Sequence, residues 1–479
     1  MKDYFNIGRH VLVLLAVYLA SSNLSAQVTF QRTYPTSVDQ SSRDVLPTTD
    51  GGYLIVGMTK PNPYDTNLLI MKTNWIGDTV WTKTYGGTGQ EYPYVLQPTP
   101  EGNYLIIGYT SSYGAGGYDA WLLKIDPSGG LIWTKTYGGP QDDLGKGMVP
   151  TNDGNYMIVG ETKSHSPGNS DDFLTKVDPS GNIIWTQYYG GSQFEGAHCL
   201  AQCPDGGYVF CGQTWSSGAG QGDIWLVKTD ASGNMQWNQT YGGAGTDDGN
   251  WVLANADGSI IICAETNSAG AGDYDVQAIK TNSTGGVIWN QLYGGDKKDV
   301  SKMIQPTNDG GYVIAAISRS FGWINPDMWM VKIDGSGNQM WTTHYGSWDH
   351  EHCYAIKQMP DGSYIVLGHT HSGVPVTTIE FLKVDGNGAL SMAPATLAMH
   401  NLEVYPNPSE GIIHLDIKTA GKGNAQLRIC NGIGQVMMQE RIEPAEMMKT
   451  VDLNERGPGI YFVSLSTDEH TTTQKVIVK

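Results

Sequence analysis

The sequence predicts an all-β chain, a seven-bladed β-propeller followed by a small C-terminal β-sandwich. Three observations carry that expectation. Tryptophans stand at an unbroken interval of 52 residues: Trp81, Trp133, Trp185, Trp237, Trp289 and Trp341. Tyrosine and glycine follow each of them four residues later, as in Tyr85-Gly86 and Tyr345-Gly346. A degenerate copy precedes the series, with Phe30 in the tryptophan position and Tyr34 in the tyrosine position. A fixed period of this length marks a repeat architecture, in which each unit buries its apolar face only against its neighbours.

One copy gives the elements in order. Residues 145–151 read as a first strand, ended by the Asp153-Gly154 turn. Residues 155–162 (NYMIVGET) alternate and read as a second strand, and 172–177 (DFLTKV) as a third. Asp178-Pro179-Ser180-Gly181 is a turn with glycine where φ > 0 is needed. Residues 182–189 are the fourth strand and carry the tryptophan. Four antiparallel strands copied in tandem read as a propeller blade. The last copy supplies three strands, finishing at residues 381–384, and no tryptophan strand follows. Residues 28–34 (VTFQRTY) carry the missing pattern, so the N-terminal strand is expected to complete the last blade and hide two strand edges. The propeller is placed at 27–390.

Two charged columns recur inside the chain. Lysine holds one third-strand position in every copy: Lys72, Lys124, Lys176, Lys228, Lys280, Lys332 and Lys383. Six residues after each Tyr-Gly tyrosine stands an acid: Glu91, Asp143, Glu195, Asp247, Asp299 and Glu351, with Gln40 as the exception. The columns are expected to form repeated ion pairs that fix each blade. The competing expectation is a carboxylate ring at one mouth of the central channel, binding a cation. The acids of the Asp153 and Asp178 columns are read as turn formers only.

Residues 1–26 read as a signal peptide: Lys2 and Arg9, an apolar run from Val11 to Ala20, and small residues at the Ser25-Ala26 cleavage site. No later stretch is apolar and long enough for a transmembrane helix, so export to the medium or the outer surface is expected. Acidic residues outnumber basic ones by 47 to 29. That balance argues against nucleic acid and anionic membrane as partners. The 62 glycines and the low charged fraction of 16% suit many short strands and tight turns. Six cysteines, Cys199, Cys203, Cys211, Cys263, Cys353 and Cys430, show no metal-ligand spacing and read as small buried hydrophobes.

No catalytic or cofactor-binding motif is present: there is no nucleophile elbow, zincin helix, phosphate loop or EF-hand loop. Off-pattern aromatics at Trp215, Trp323 and Trp348, with Tyr113 and Phe321, are candidates for stacking on sugar rings. Ordinary loop packing is the plainer reading. Histidines crowd the last copy. Folding it about Pro360-Asp361-Gly362 is expected to set His352 opposite His371, with His350 and His369 nearby, as a weak transition-metal site.

The repeats, with units such as DGGYLIVGMT and KIDPSGGLIWTKTYGG, resemble the YGG-type propeller repeats of secreted bacterial and archaeal surface proteins. That resemblance implies fold and location more than chemistry. Residues 391–400 read as a linker. Beyond them 402–405, 412–417, 426–430, 435–441, 449–453, 460–465 and 473–478 read as strands of a small sandwich at 401–479. Tyr405-Pro406-Asn407-Pro408, Gly411, Gly459-Ile460-Tyr461 and the final Lys475–Lys479 segment resemble the C-terminal sorting domain of type IX secretion cargo from Bacteroidetes. The resemblance implies the type IX machinery as partner through 401–479. Release or attachment at the cell surface follows from it. The expected function is a secreted or surface scaffold that binds a protein or glycan partner. The alternative is an extracellular polysaccharide hydrolase or lyase with a site on one propeller face.

Overall fold

The computed structural model describes residues 29–62, 64–322, 325–347, 350–371, 376–390, 401–418, 425–431, 435–442, 448–466 and 471–479. The expected signal peptide and the 391–400 linker lie outside the described residues. The chain forms two compact units, 1–391 and 392–479.

In the first unit the described residues form seven four-stranded antiparallel sheets in tandem. The third sheet is representative, with strands Asp143–Pro150, Tyr156–Thr162, Asp171–Val177 and Ile183–Tyr189. Each lies within two residues of the expected position. The glycine of the third turn, Gly181, has φ 77°, the conformation for which the turn was read. Every sheet but one is a contiguous run of chain. The seventh takes Glu351–Gln358, Tyr364–Thr370 and Thr378–Val384 and is completed by Phe30–Tyr34, which pairs antiparallel with Thr378–Val384.

The 52-residue period has a physical cause in the packing between sheets. Each fourth-strand tyrosine donates a hydrogen bond to the carbonyl of the turn glycine in the next sheet. Tyr137 reaches Gly181 at 2.8 Å, Tyr241 reaches Gly285 at 2.7 Å and Tyr293 reaches Gly337 at 2.6 Å. Tyr34 does the same to Gly77 of the first sheet at 2.6 Å, so the bond series runs from the seventh sheet back to the first. The tryptophan column lies under the same turns. A Cβ added to Gly181 would stand 2.9 Å from Trp133, and one added to Gly77 would stand 2.8 Å from Phe30. Glycine is thus required twice at this position, by its positive φ and by the aromatic ring beneath it. The first strands, one per sheet, also pack in succession, and the last of them packs on the first.

The two charged columns are structural, but they do not pair with each other as expected. The lysines reach the acids of the turn between the first and second strands. Lys176 lies 2.6 Å from Asp153, Lys228 2.8 Å from Asp205, Lys332 2.9 Å from Asp309 and Lys383 3.2 Å from Asp361. Lys72 pairs with Asp50 and Lys124 with Glu101 in the same way. Lys280 makes no ion pair among the described residues; Asp257 instead accepts from Ser259. Turn acids read as chemically silent are therefore the lysines' partners. The third strand ends beside that hairpin turn, whereas the expected acids stand at the opposite end of the first strand.

Those other acids are fully buried and tie down the Tyr-Gly loop. Asp143 accepts from the Gly139 amide at 2.7 Å, from Ser164 Oγ at 2.7 Å and from Thr162 Oγ1. Glu195 accepts from the Gly191 amide at 2.7 Å and from Thr214 Oγ1 at 2.8 Å. With their lone pairs taken up inside the protein, these carboxylates form no open ring for a cation. A carboxylate receiving backbone N–H donors in this way replaces the water that the loop amides lose on burial.

The C-terminal unit has all seven expected strands, each within two residues of its expected bounds, in one three-stranded and one four-stranded sheet. Leu402, Val404, Ile413, Leu415 and Val451 from the first sheet share one core with Leu427, Ile429, Val463, Leu465 and Val476 from the second. Its outward residues, such as Ile412, Ile460 and Ile477, are exposed.

Candidate functional site

The first strand of every sheet carries a β-bulge. Its ladder to the second strand skips one residue: Arg43, Tyr94, Lys146, His198, Asn250, Lys302 and Tyr354 in turn. A bulge leaves its extra residue out of the hydrogen-bond ladder and re-aims the side chain. Here the seven bulge residues meet. They line one cavity of about 250 Å³, together with Val95, Trp251 and Met303. The cavity thus draws on all seven sheets. A second cleft of about 250 Å³ shares Arg43 and Tyr354 with it and is lined also by Asp39, Lys60, Tyr92 and His369.

The column differs in character from every other in the repeat. Three of its residues are cations, two are tyrosines, one is histidine and one is asparagine. The lining contains no carboxylate, although the chain carries a net charge of −18. Acids stand one layer behind it. Lys146 lies 3.4 Å from Glu161 and donates to Tyr94 Oη at 3.2 Å. His198 Nε2 lies 3.2 Å from Asp248. Asn250 donates to Glu265 at 3.3 Å and to Ser301 at 3.1 Å. The Arg43 guanidinium sits 4.5 Å from the centre of the Tyr354 ring and 5.9 Å from that of Tyr94.

These neighbours set the protonation states. Burial by itself would lower the His198 imidazole, but the Asp248 carboxylate beside it raises it above its ordinary value. Burial would raise the Tyr94 phenol, yet Lys146 and Arg43 hold it below its usual value. Glu265 is raised by burial, against the pull of Lys302. Asp172 is raised well above the carboxylate range by complete burial. The wall therefore carries three cations and no carboxylate, and the acids Glu161 and Asp248 behind it are paired with Lys146 and His198.

The anticipated site residues fall elsewhere. Trp215 packs edge-on against Phe194 and donates from Nε1 to Gln213 at 2.8 Å; it does not line the cavity. Trp323 and Trp348 lie outside the described residues. Tyr113 donates to the Gly86 carbonyl at 2.8 Å and stands against Trp121, while Phe321 packs on Trp329. All three rings make these loop contacts and remain exposed on one side.

The histidine register also differs from expectation. His352 pairs across the hairpin with His369, and the His371 amide donates to the His350 carbonyl. The bulge at Tyr354 shifts the register that a plain hairpin would give. The His352 and His369 rings lie 5.1 Å apart, and those of His350 and His371 6.1 Å apart. Among the described residues no three of His, Cys, Asp or Glu gather closely enough to hold a metal ion. Burial, with the cations around them, pushes His352 down to about 4 and His369 down to about 3, so both are neutral imidazoles at physiological pH. Sequence reasoning missed the bulge column. Its signal was available: it is the position three residues after the recurring acid where the copies diverge.

Residues 403–479 match the family described as Secretion system C-terminal sorting domain. The C-terminal unit is therefore a sorting domain, and the chain is exported cargo of the type IX secretion machinery, secreted or held at the cell surface. Over 183 residues the chain is 25% identical to Regulatory protein FlaEY of Caulobacter vibrioides, a match to 33% of this chain and 19% of that protein. The chain thus spans about a fifth of that relative's length. Among solved structures, Pyrococcus horikoshii acylaminoacyl peptidase matches with TM-score 0.39 and 9% identity, covering 79% of this chain and 57% of that one. Puromycin hydrolase matches with TM-score 0.46 and 14% identity, covering 79% and 58%. A Synechocystis apocarotenoid oxygenase variant matches with TM-score 0.43 and 12% identity, covering 75% and 96%. Likenesses at this level carry no argument about activity. Among the described residues no helix is long and apolar enough to cross a membrane.

Proposed function

We propose that residues 27–390 are a closed seven-bladed β-propeller and that 401–479 are a sandwich-type sorting domain. On this reading the exported propeller holds one ligand, a glycan or a segment of a protein partner, in its central cavity. The observation that carries it is the bulge column. Where the seven sheets repeat the same residue, that residue holds the scaffold together. At the bulge they diverge, and all seven divergent side chains converge on one cavity. A scaffold does not need such divergence, whereas a site that acts once needs different groups around a single ligand.

A polysaccharide hydrolase is the weaker reading, because the wall offers no carboxylate pair of the kind that glycoside hydrolysis uses. The lyase version keeps one supporting feature: Tyr94 lines the cavity with Lys146 donating to its Oη at 3.2 Å and Arg43 beside its ring, and these cations hold its phenol below its usual value against burial. Incubation with a polyuronate would reveal a lyase by the ultraviolet absorbance of its unsaturated product.

The binding reading is tested on a glycan array with the purified full chain and its Asn250→Ala variant. Glycans retained by the first and lost by the second are the expected result. Glycans retained equally by both would overturn the cavity as the site.

A further inference from the structure

The cavity wall holds two cations that form no ion pair among the described residues. Lys302 has no ion pair and no hydrogen bond among the described residues, although Glu265 and Asp248 lie near enough to feel its charge. Arg43 has no ion pair either, and its Nε and Nη1 are buried without an acceptor between two tyrosine rings. The contrast with Lys146 and His198, which have Glu161 and Asp248, is internal to the same column. Both side chains are half-buried, and a charge drawn partly out of water without an ion-pair partner is held at a cost. The repeat does not demand one here, because four of the other sheets put an uncharged or titratable group at this position. An anionic ligand would supply what the fold leaves out.

The remaining wall decides what carries the anion. The Trp251 ring is partly exposed on the lining, and Asn250, His198 and the Tyr94 hydroxyl offer hydrogen-bonding groups beside it. An apolar face next to several polar groups suits a polyhydroxylated ring better than a bare inorganic ion. A volume of about 250 Å³ accommodates a single such ring with its substituents. In a chain of net charge −18, a wall with three cations and no carboxylate is a local departure that favours an anion there.

We propose that the central cavity binds the carboxylate of an acidic sugar residue, with Lys302 and Arg43 as its counter-charges and Trp251 against the ring. This rests on the cavity being the binding site proposed above. Lys302 is an ammonium point charge free to move to the ligand, whereas Arg43 is fixed by its tyrosine sandwich.

The test is calorimetric titration of the purified full chain at low ionic strength with D-glucuronate, D-glucose and inorganic phosphate. Glucuronate is expected to bind, more weakly as salt is added, with glucose and phosphate each at least about tenfold weaker. Lys302→Gln should weaken glucuronate by about tenfold, the scale of one charge-assisted contact. Lys302 has no protein partner to lose, so this variant should keep the parent's melting temperature, and it serves where Arg43→Gln disturbs the fold. Glucose binding as tightly as glucuronate overturns the proposal, as does phosphate binding as tightly, or no heat from glucuronate. A neutral glycan that is held on the array and lost in Asn250→Ala, with no response to glucuronate, would overturn the acidic ligand while leaving the cavity as the binding site.

Discussion

Residues 143 and 146 stand three apart on one strand and obey opposite rules. Position 143 is an acid in six of seven sheets, buried and saturated with hydrogen bonds from its own loop. Position 146 is arginine, tyrosine, lysine, histidine, asparagine, lysine and tyrosine from the first sheet to the seventh, and it lines a cavity. The first column repeats because every sheet has the same amides to satisfy. The second diverges because its seven side chains share one space. Recurrence within the chain thus separates positions that hold each sheet together from positions that line the cavity, without any comparison to relatives.

The most severe way to probe the scaffold side is to remove its closing strand. Deleting residues 27–35 leaves Thr378–Val384 and the first sheet without Phe30, which packs on Phe381 at 5.2 Å and Tyr53 at 6.1 Å. Loss of cooperative unfolding and a shift to aggregates in size-exclusion chromatography are expected. Phe30→Ala alone should cost about 3–5 kcal/mol in denaturant unfolding. An unchanged midpoint would break the claim that the ring is closed there.

Next in size is a charge in the same seam. Glu380 is buried, accepts from Gln31 at 2.6 Å, and burial raises its carboxyl from 4.5 to about 7. A carboxyl raised in the folded state contributes stability that is complete below its unfolded value near 4.5 and is lost as pH rises through about 7. Between those limits the parent should lose on the order of 3 kcal/mol relative to Glu380→Gln, which has no proton to release. Parallel stability curves for the two proteins would refute this.

Asp143→Ala against Lys302→Met tests the two columns directly. The first leaves the Gly139 amide and two hydroxyls without their acceptor and should cost about 2–3 kcal/mol. The second removes an unpaired cation and should be neutral or stabilising. Equal destabilisation by both would erase the distinction drawn between them.

The smallest effects belong to the lysine and turn-acid pairs, whose acids are half-exposed. Lys176→Met should cost about 1 kcal/mol or less. Thr48 and Lys72 together lower Asp50 to about 2, and hydrogen bonds from Thr307 and Lys332 lower Asp309 to about 2 against its burial. A depressed carboxylate stabilises above its unfolded value of 3.8, and that contribution disappears as pH falls through about 2. Acid titration of the parent should therefore show a loss in this window that is reduced, not abolished, in Lys72→Met, because Thr48 still holds Asp50 and Lys332 still holds Asp309.

The sequence by itself determined the repeat length, four strands in each unit, the closing strand marked by Phe30 and Tyr34, and seven strands in the sorting domain. These follow from alternation and turn chemistry, which act between residues close along the chain, and from one period that sets where each unit meets the next. Tertiary structure alone decided which acid meets Lys176, since Asp153 and Asp143 are both plausible by type and only the end of the sheet at which the lysine emerges chooses between them. It also decided that Tyr137 bonds to Gly181 in another sheet, and that His352 faces His369, because a bulge at Tyr354 displaces the hairpin register. The cavity belongs to this second class. Arg43 and Lys302 lie far apart in the chain and are brought to one wall because the seven first strands pack in succession and the last packs on the first, each with its bulge residue released from the ladder.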